Sequence, residues 1–168
     1  HLQERKVRHL KTMHKEINTA DNFFDDASGI RQIALEQNWY SNTGTSYFRG
    51  MRADVPDSIY DDISRQILEY CGLSSGKIYL WFAYQTGDVQ LDEDCIHTDD
   101  HTTAGLIYLH NNPQPNSGTI LYINEKKTII ENKYNRFINY SSSIPHSPEG
   151  FYGDNIHNAR VTLTYFID

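Results

Sequence analysis

Apolar residues recur at two different spacings along this chain, and the change falls near residue 76. Over residues 26–37, Ala27, Ile30, Ile33 and Ala34 lie three and four apart, the spacing that builds one face of a helix. Asp25 or Asp26 is placed to cap that helix. Val55, Ile59, Ile63, Ile67 and Cys71 then repeat every fourth residue. Pro56 suits the first turn of this second helix, and Gly72 is its stop. Both helices are amphipathic, so each is expected to lie against a sheet. Residues 1–16 are polar and predict a further helix, and 17–24 predict a short strand. Residues 38–54, rich in Asn, Gly, Ser and Thr, predict a long loop that carries Trp39, Tyr40, Tyr47 and Phe48.

Beyond Gly76 the pattern turns β-branched and aromatic, with short runs bounded by turn residues. Strands are predicted at 78–85, 103–110, 119–123, 128–130, 136–140 and 160–167. Many short strands at this spacing predict a barrel or sandwich, with the preceding helices bracing its outer face. The expected fold is mainly β with N-terminal helices, a double-stranded β-helix or jelly roll of the cupin-like kind. One domain is expected over 1–168, divided into a helical support region, 1–76, and a jelly-roll core, 77–168.

A length of 168 residues can bury a real core without disulfides or a structural metal. No apolar run is long enough to span a membrane as a helix. The net charge is −7, although residues 1–16 are basic, with Arg5, Lys6, Arg8, Lys11 and Lys15 against Glu4 and Glu16. A body this acidic is a poor match for a phosphate backbone, so nucleic acid is a disfavoured partner. Two cysteines, Cys71 and Cys95, make no disulfide scaffold and no CxxC pair, and no signal-peptide pattern opens the chain. A reducing, cytoplasmic setting is the expectation, a host cell's cytoplasm if the chain is phage-encoded.

The densest chemistry lies in Cys95-Ile96-His97-Thr98-Asp99-Asp100-His101. On an extended strand His97 and Asp99 project to one side, within reach of one metal ion. Asp100 could replace Asp99 only where a bulge shifts the phase, and His101 completes an HxxxH pattern only if this stretch is helical. A distal nitrogen ligand is available at His146, after Ile144-Pro145. Two histidines and one carboxylate form a facial triad that leaves positions open on one side, the signature of non-haem Fe(II) oxygenases. Arg160 follows 14 residues later and shares a strand face with Thr162. An arginine pointing into a barrel is costly unless an anion meets it, and a dicarboxylate held at the metal by its other end would be such an anion.

The order HxD, distal His, then Arg resembles the Fe(II)/2-oxoglutarate-dependent dioxygenases, and within them the prolyl-hydroxylase-like branch. Tyr84-Gln85-Thr86-Gly87 resembles that branch's Tyr-x-x-Gly step. Ile107-Tyr108-Leu109-His110 resembles its strand ending Tyr-Leu-Asn, with His110 in place of the Asn. Ser117-Gly118-Thr119 resembles its glycine turn, 136–146 its arginine-led strand ending in Pro-His, and 160–166 its final strand. The likeness covers roughly 78–167, and residues 21–37 more weakly resemble leaders of small phage and bacterial oxygenases. The resemblance implies Fe(II) on His97, Asp99 and His146, with 2-oxoglutarate and O2 as co-substrates. It implies that Arg160 pairs with the distal carboxylate of 2-oxoglutarate, that Tyr108 and Thr162 donate to it, and that Tyr84 lines the same pocket. The implied activity is hydroxylation of a prolyl or other protein side chain, with a free amino acid or small metabolite next.

The rival readings are a cupin-like metal-binding module and a metal-dependent cupin enzyme that needs no 2-oxoglutarate. Neither needs a buried arginine clamp. His110 and His157 read as surface or loop residues, although the strand phase turns His110 inward. Cys95 reads as packing, and Arg136 as the partner of an acidic neighbour. The acidic run Asp88, Asp92, Glu93 and Asp94 reads as a solvated face or as a lid over a basic or peptide substrate.

Overall fold

A computed structural model describes residues 17–41 and 48–168. The predicted helix over 1–16 and the loop aromatic Tyr47 lie outside them. The first strand, β1 (Ile17–Ala20), leads into α1 (Ala27–Leu35), whose cap Asp26 accepts from the Gly29 N–H at 2.9 Å. Next come β2 (Tyr40–Ser41), β3 (Met51–Asp54) and α2 (Asp57–Tyr70). Pro56 stands at the α2 N-cap, one residue before the predicted first turn. The helix stops as predicted: Gly72 takes a left-handed φ of 72°. This lets the Leu73 N–H reach the Leu68 carbonyl at 2.9 Å and the Gly72 N–H reach Glu69 at 3.0 Å.

The remaining strands are β4 (Ile78–Gln85), β5 (Thr103–Tyr108), β6 (Thr119–Ile123), β7 (Lys126–Ile130), β8 (Phe137–Ser141), β9 (His146–Pro148) and β10 (Arg160–Ile167). They form a seven-stranded sheet in the order β1-β8-β5-β10-β4-β3-β2 and a three-stranded sheet in the order β7-β6-β9. Every pairing is antiparallel.

Alternation divides the large sheet into two faces. Leu80, Phe82, Ile107, Phe137, Val161 and Leu163 pack against Phe23, Phe24, Ile63 and Ile67 from the helical layer. Ala104, Leu106, Tyr108, Ile138 and Tyr140 turn the other way, onto Leu121 of the small sheet. The helices therefore brace the outer face, and the space between the sheets is left for a site. Arg136 ties the start of β8 to Asp21 at 2.7 Å, as its acidic-neighbour reading required. That guanidinium holds the Asp21 carboxyl below the usual carboxylate range.

One expectation needs correction. Residues 38–54 are not all loop, because β3 pairs with Trp81–Tyr84 and buries Ala53 beside Phe82. Four residues of mixed polarity give no local strand signal; β3 is defined by its long-range partner. Residues before 76 therefore contribute strands as well as helices, and β1 pairs with β8. The stretch after Pro145 is strand β9, made so by pairing with β6. Among the described residues, no helix is long and apolar enough to cross a membrane.

Gly105 on β5 is required by close approach. A Cβ there would overlap the Ile138 carbonyl and the Tyr165 hydroxyl, which donates to that carbonyl at 3.0 Å. Gly105→Ala should lower Tm by roughly 2–12 °C, from an overpacking cost of about 1–3 kcal/mol. Thermal unfolding by circular dichroism checks this; an unchanged Tm would mean that β5 and β8 yield freely.

Candidate metal centre and its cavity

His97 and His146 come together through backbone first. Their N–H and C=O groups exchange hydrogen bonds of 2.9 and 3.1 Å, an isolated bridge between two distant parts of the chain. Asp99 is held nearby by its N–H to the Ser142 carbonyl at 3.0 Å. The side chains converge: one ligand atom from each of His97, Asp99 and His146 lies within 4.8 Å of the others. Among the described residues, this is the group of three or more such side chains that could hold a metal ion.

Backbone contacts orient both imidazoles. His97 Nδ1 lies 2.9 Å from the Cys95 carbonyl, and His146 Nδ1 lies 2.8 Å from that of Ile144. A carbonyl only accepts, so each Nδ1 donates its N–H there and each ring turns its Nε2 inward. Those nitrogens face the Asp99 carboxylate at 3.5 and 3.0 Å. A metal ion among them would meet both ring nitrogens and the carboxylate. Burial, and then the charge of His146, push the His97 pKa down, which disfavours a proton in that role. Two imidazoles and one carboxylate on one side suit Fe(II).

The neighbouring candidates fall away. Asp100 is exposed. His101 stacks on Phe166 and pairs with Asp168 at 3.0 Å. His157 is exposed, but His110 is not a surface residue: it is 6% exposed and bonds the Tyr152 hydroxyl at 2.6 Å. Cys95 is buried and free, and its carbonyl orients His97.

The three ligands line a cavity of about 100 Å³ between the sheets. Arg160 lines it too and is only 3% exposed. Its Nε donates to the Ser117 carbonyl at 2.7 Å and its Nη2 to that of Gly118 at 3.1 Å. Among the described residues, no carboxylate forms an ion pair with it. Thr162 shares its face, as the strand phase predicted, and also lines the cavity.

Two residues stand differently from expectation. The Tyr108 hydroxyl bonds Thr119 Oγ1 at 2.6 Å, and Thr119, not Tyr108, is at the cavity wall. Tyr84 does not line the cavity. Its ring packs against Trp39 in the helix-side core, 4.8 Å between centroids. Its neighbour Gln85 faces inward as the cross-strand partner of Arg160, 4% exposed, with its Oε1 lacking a partner. Every residue of β4 but the last is apolar or aromatic, so the alternation carried no mark of which set faces inward. The wall residues Arg52, Trp81 and Tyr140 also escaped sequence reasoning. Burial and the charge of Asp99 push the Tyr140 hydroxyl pKa up, so it stands in the cavity as a protonated donor.

No family model matches the sequence, and no curated protein matches it. Solved structures do. A Trichoplax adhaerens prolyl hydroxylase in complex with a hypoxia inducible factor oxygen degradation domain peptide fragment is 15% identical. The match has a TM-score of 0.71, covering 99% of this chain and 89% of that one. A 2OG-Fe(II) oxygenase family oxidoreductase from Burkholderia pseudomallei is 12% identical at TM-score 0.72, covering 100% and 91%. HygX from Streptomyces hygroscopicus, solved with nickel and 2-oxoglutarate bound, is 10% identical at TM-score 0.61, covering 98% and 86%. With its helices on one face of two antiparallel sheets, the chain has the fold of the prolyl-hydroxylase-like 2-oxoglutarate/Fe(II) oxygenases.

Proposed function

We propose that this chain is an Fe(II)- and 2-oxoglutarate-dependent dioxygenase that hydroxylates a C–H bond, with a prolyl or other protein side chain as the first substrate class. The two sheets are then the layers of a double-stranded β-helix, within one domain. Arg160 carries the reading: a buried guanidinium without a carboxylate partner shares a cavity with a His-Asp-His ligand group. A buried cation is costly without an anion, and the distal carboxylate of 2-oxoglutarate supplies one. The cupin-like rivals give Arg160 no work.

His97 and His146 would hold Fe(II) through Nε2 and Asp99 through its carboxylate. Bound Fe(II), with 2-oxoglutarate and O2, supplies the oxidising power for hydroxylation, and succinate and CO2 are released. The Ser117 and Gly118 carbonyls orient the Arg160 guanidinium, so it meets the carboxylate already aligned. Thr119 and Thr162 offer hydroxyls to the same anion, and Tyr108 acts through Thr119. Ala104, Leu106 and Tyr140 line the wall between these ends and exclude water. The peptide bound to the Trichoplax protein supports a peptide substrate here.

Anaerobic titration with Fe(II) and then 2-oxoglutarate tests the reading. A visible charge-transfer band is expected, followed by slow succinate release when oxygen is admitted without substrate. Metal binding with neither band nor succinate would return the chain to the cupin-like readings.

A further inference from the structure

Two carbonyls orient Arg160, and the turn that carries them is clamped in its own right. Ser117 and Gly118 end the loop that joins β5 to β6. The stretch that joins β9 to β10 is tied across that loop. Glu149 grips Gly118 twice: its N–H donates to the Gly118 carbonyl at 3.0 Å, and its carboxylate accepts the Gly118 N–H at 3.0 Å. The Phe151 ring centroid lies 5.9 Å from the Arg160 guanidinium carbon. Gly153 fastens the far side, accepting the Gly87 N–H at 2.8 Å.

Tyr152 staples the same stretch to the start of the loop. Its hydroxyl lies 2.6 Å from His110 Nδ1 and faces the Gln114 backbone N–H and the Asn132 amide. Those two are donors to its oxygen, so the hydroxyl's own proton goes to His110 Nδ1. Burial pushes the Tyr152 pKa up, and burial with the charge of Arg31 pushes that of His110 down, which keeps donor and neutral acceptor in these roles. The contacts run on to the end of the loop. Asn132 Nδ2 donates to Ser117 Oγ at 3.2 Å, and Ser117 Oγ donates to the Gln114 carbonyl at 2.6 Å. One hydroxyl therefore meets the start and middle of the loop and, through Asn132, the residue whose carbonyl receives Arg160 Nε. A buried network of this kind holds one geometry, because a member left unmet is costly. Neither Tyr152 nor His110 lines the cavity.

We infer that Tyr152 is a positioning residue for the co-substrate: with His110 as its acceptor, it fixes the loop whose Ser117 and Gly118 carbonyls hold the Arg160 guanidinium in the plane that meets the distal carboxylate. The inference rests on the 2-oxoglutarate reading of Arg160. It gives His110 and Tyr152 work at a distance from the metal, on the one end of the ligand that the metal does not hold. A tyrosine that only packed would affect every ligand of the cavity alike, whether or not the ligand reaches Arg160.

The test is calorimetric titration of the full chain, loaded with Zn(II), with two ligands. One is 2-oxoglutarate; the other is 2-oxopentanoate, which carries a methyl group in place of the distal carboxylate. Tyr152→Phe keeps the ring and removes only the hydroxyl. It should weaken 2-oxoglutarate about threefold to tenfold, the worth of one buried hydrogen bond, and leave 2-oxopentanoate and Zn(II) within about twofold. The amide oxygen of asparagine stands where Nδ1 stands, so His110→Asn should keep the parent's affinity for 2-oxoglutarate. His110→Leu should match Tyr152→Phe, and the double variant should be no worse than either, because the two residues act as one unit. An unchanged 2-oxoglutarate Kd in Tyr152→Phe, or an equal loss for both acids, overturns the inference while the co-substrate reading stands. A parent protein that binds the two acids equally removes the co-substrate reading itself, and this inference with it.

Discussion

His146→Ala should weaken divalent metal binding by well over 100-fold, while His101→Ala leaves it within about twofold. Loss of a group that only orients a ligand costs about 10–100-fold, so loss of a ligand itself costs more. His146 is buried, its Nε2 is 3.0 Å from the Asp99 carboxylate, and its backbone anchors His97. The alanine keeps that backbone bridge and removes only the imidazole, so His97 and Asp99 stay in position. His101 belongs to the same sequence cluster, yet its ring is taken by Phe166 and Asp168. The pair of variants therefore separates a facial triad from a local HxxxH arrangement. Calorimetric titration with Co(II) under anaerobic conditions reads both. Metal affinity in His146→Ala within tenfold of the parent would remove it from the ligand group, and a large loss in His101→Ala would point to a different one.

Much of this is legible in the sequence. The bounds of β4, β6 and β10 fall where local composition put them, because β-branched and aromatic runs ended at Gly, Asn or the chain's own turns. Arg160 and Thr162 share a face for the same reason that Val161 and Leu163 oppose them. The ligand group was legible from the order of residue types. The backbone bridge between His97 and His146 was not, since β9 is a strand only by virtue of β6, just as β3 is one only by virtue of β4. Tyr84 shows the other limit. On a strand apolar on both faces, a one-residue choice of phase moves a side chain from cavity to core, and it was Gln85 that faced inward. His110 divided the reading: residue type suggested the surface, strand phase turned it inward, and the phase held, with Tyr152 from far along the chain bonded to its ring.

Arg160→Ala should raise the apparent KM for 2-oxoglutarate by about 100-fold or more and lower stability as well. Breaking a buried charge pair by removing one partner costs about 3–5 kcal/mol, which corresponds to roughly 10²–10⁴ in affinity. The stability loss has a separate origin. Without the guanidinium, the Ser117 carbonyl loses its Arg160 donor, at about 1–3 kcal/mol when left unsatisfied, while the Gly118 carbonyl keeps the Glu149 N–H at 3.0 Å. Arg160→Lys keeps the charge but cannot hold both carbonyls and a carboxylate in one plane, so it should fall between the two in KM. Metal affinity should survive in both variants, since Arg160 touches none of the ligands by hydrogen bond. Succinate formation against 2-oxoglutarate concentration, with calorimetric binding to the Zn(II) form, reads the first effect, and thermal unfolding reads the second. A folded Arg160→Ala protein with an unchanged KM would detach the guanidinium from the co-substrate, and with it the observation on which the oxygenase reading stands.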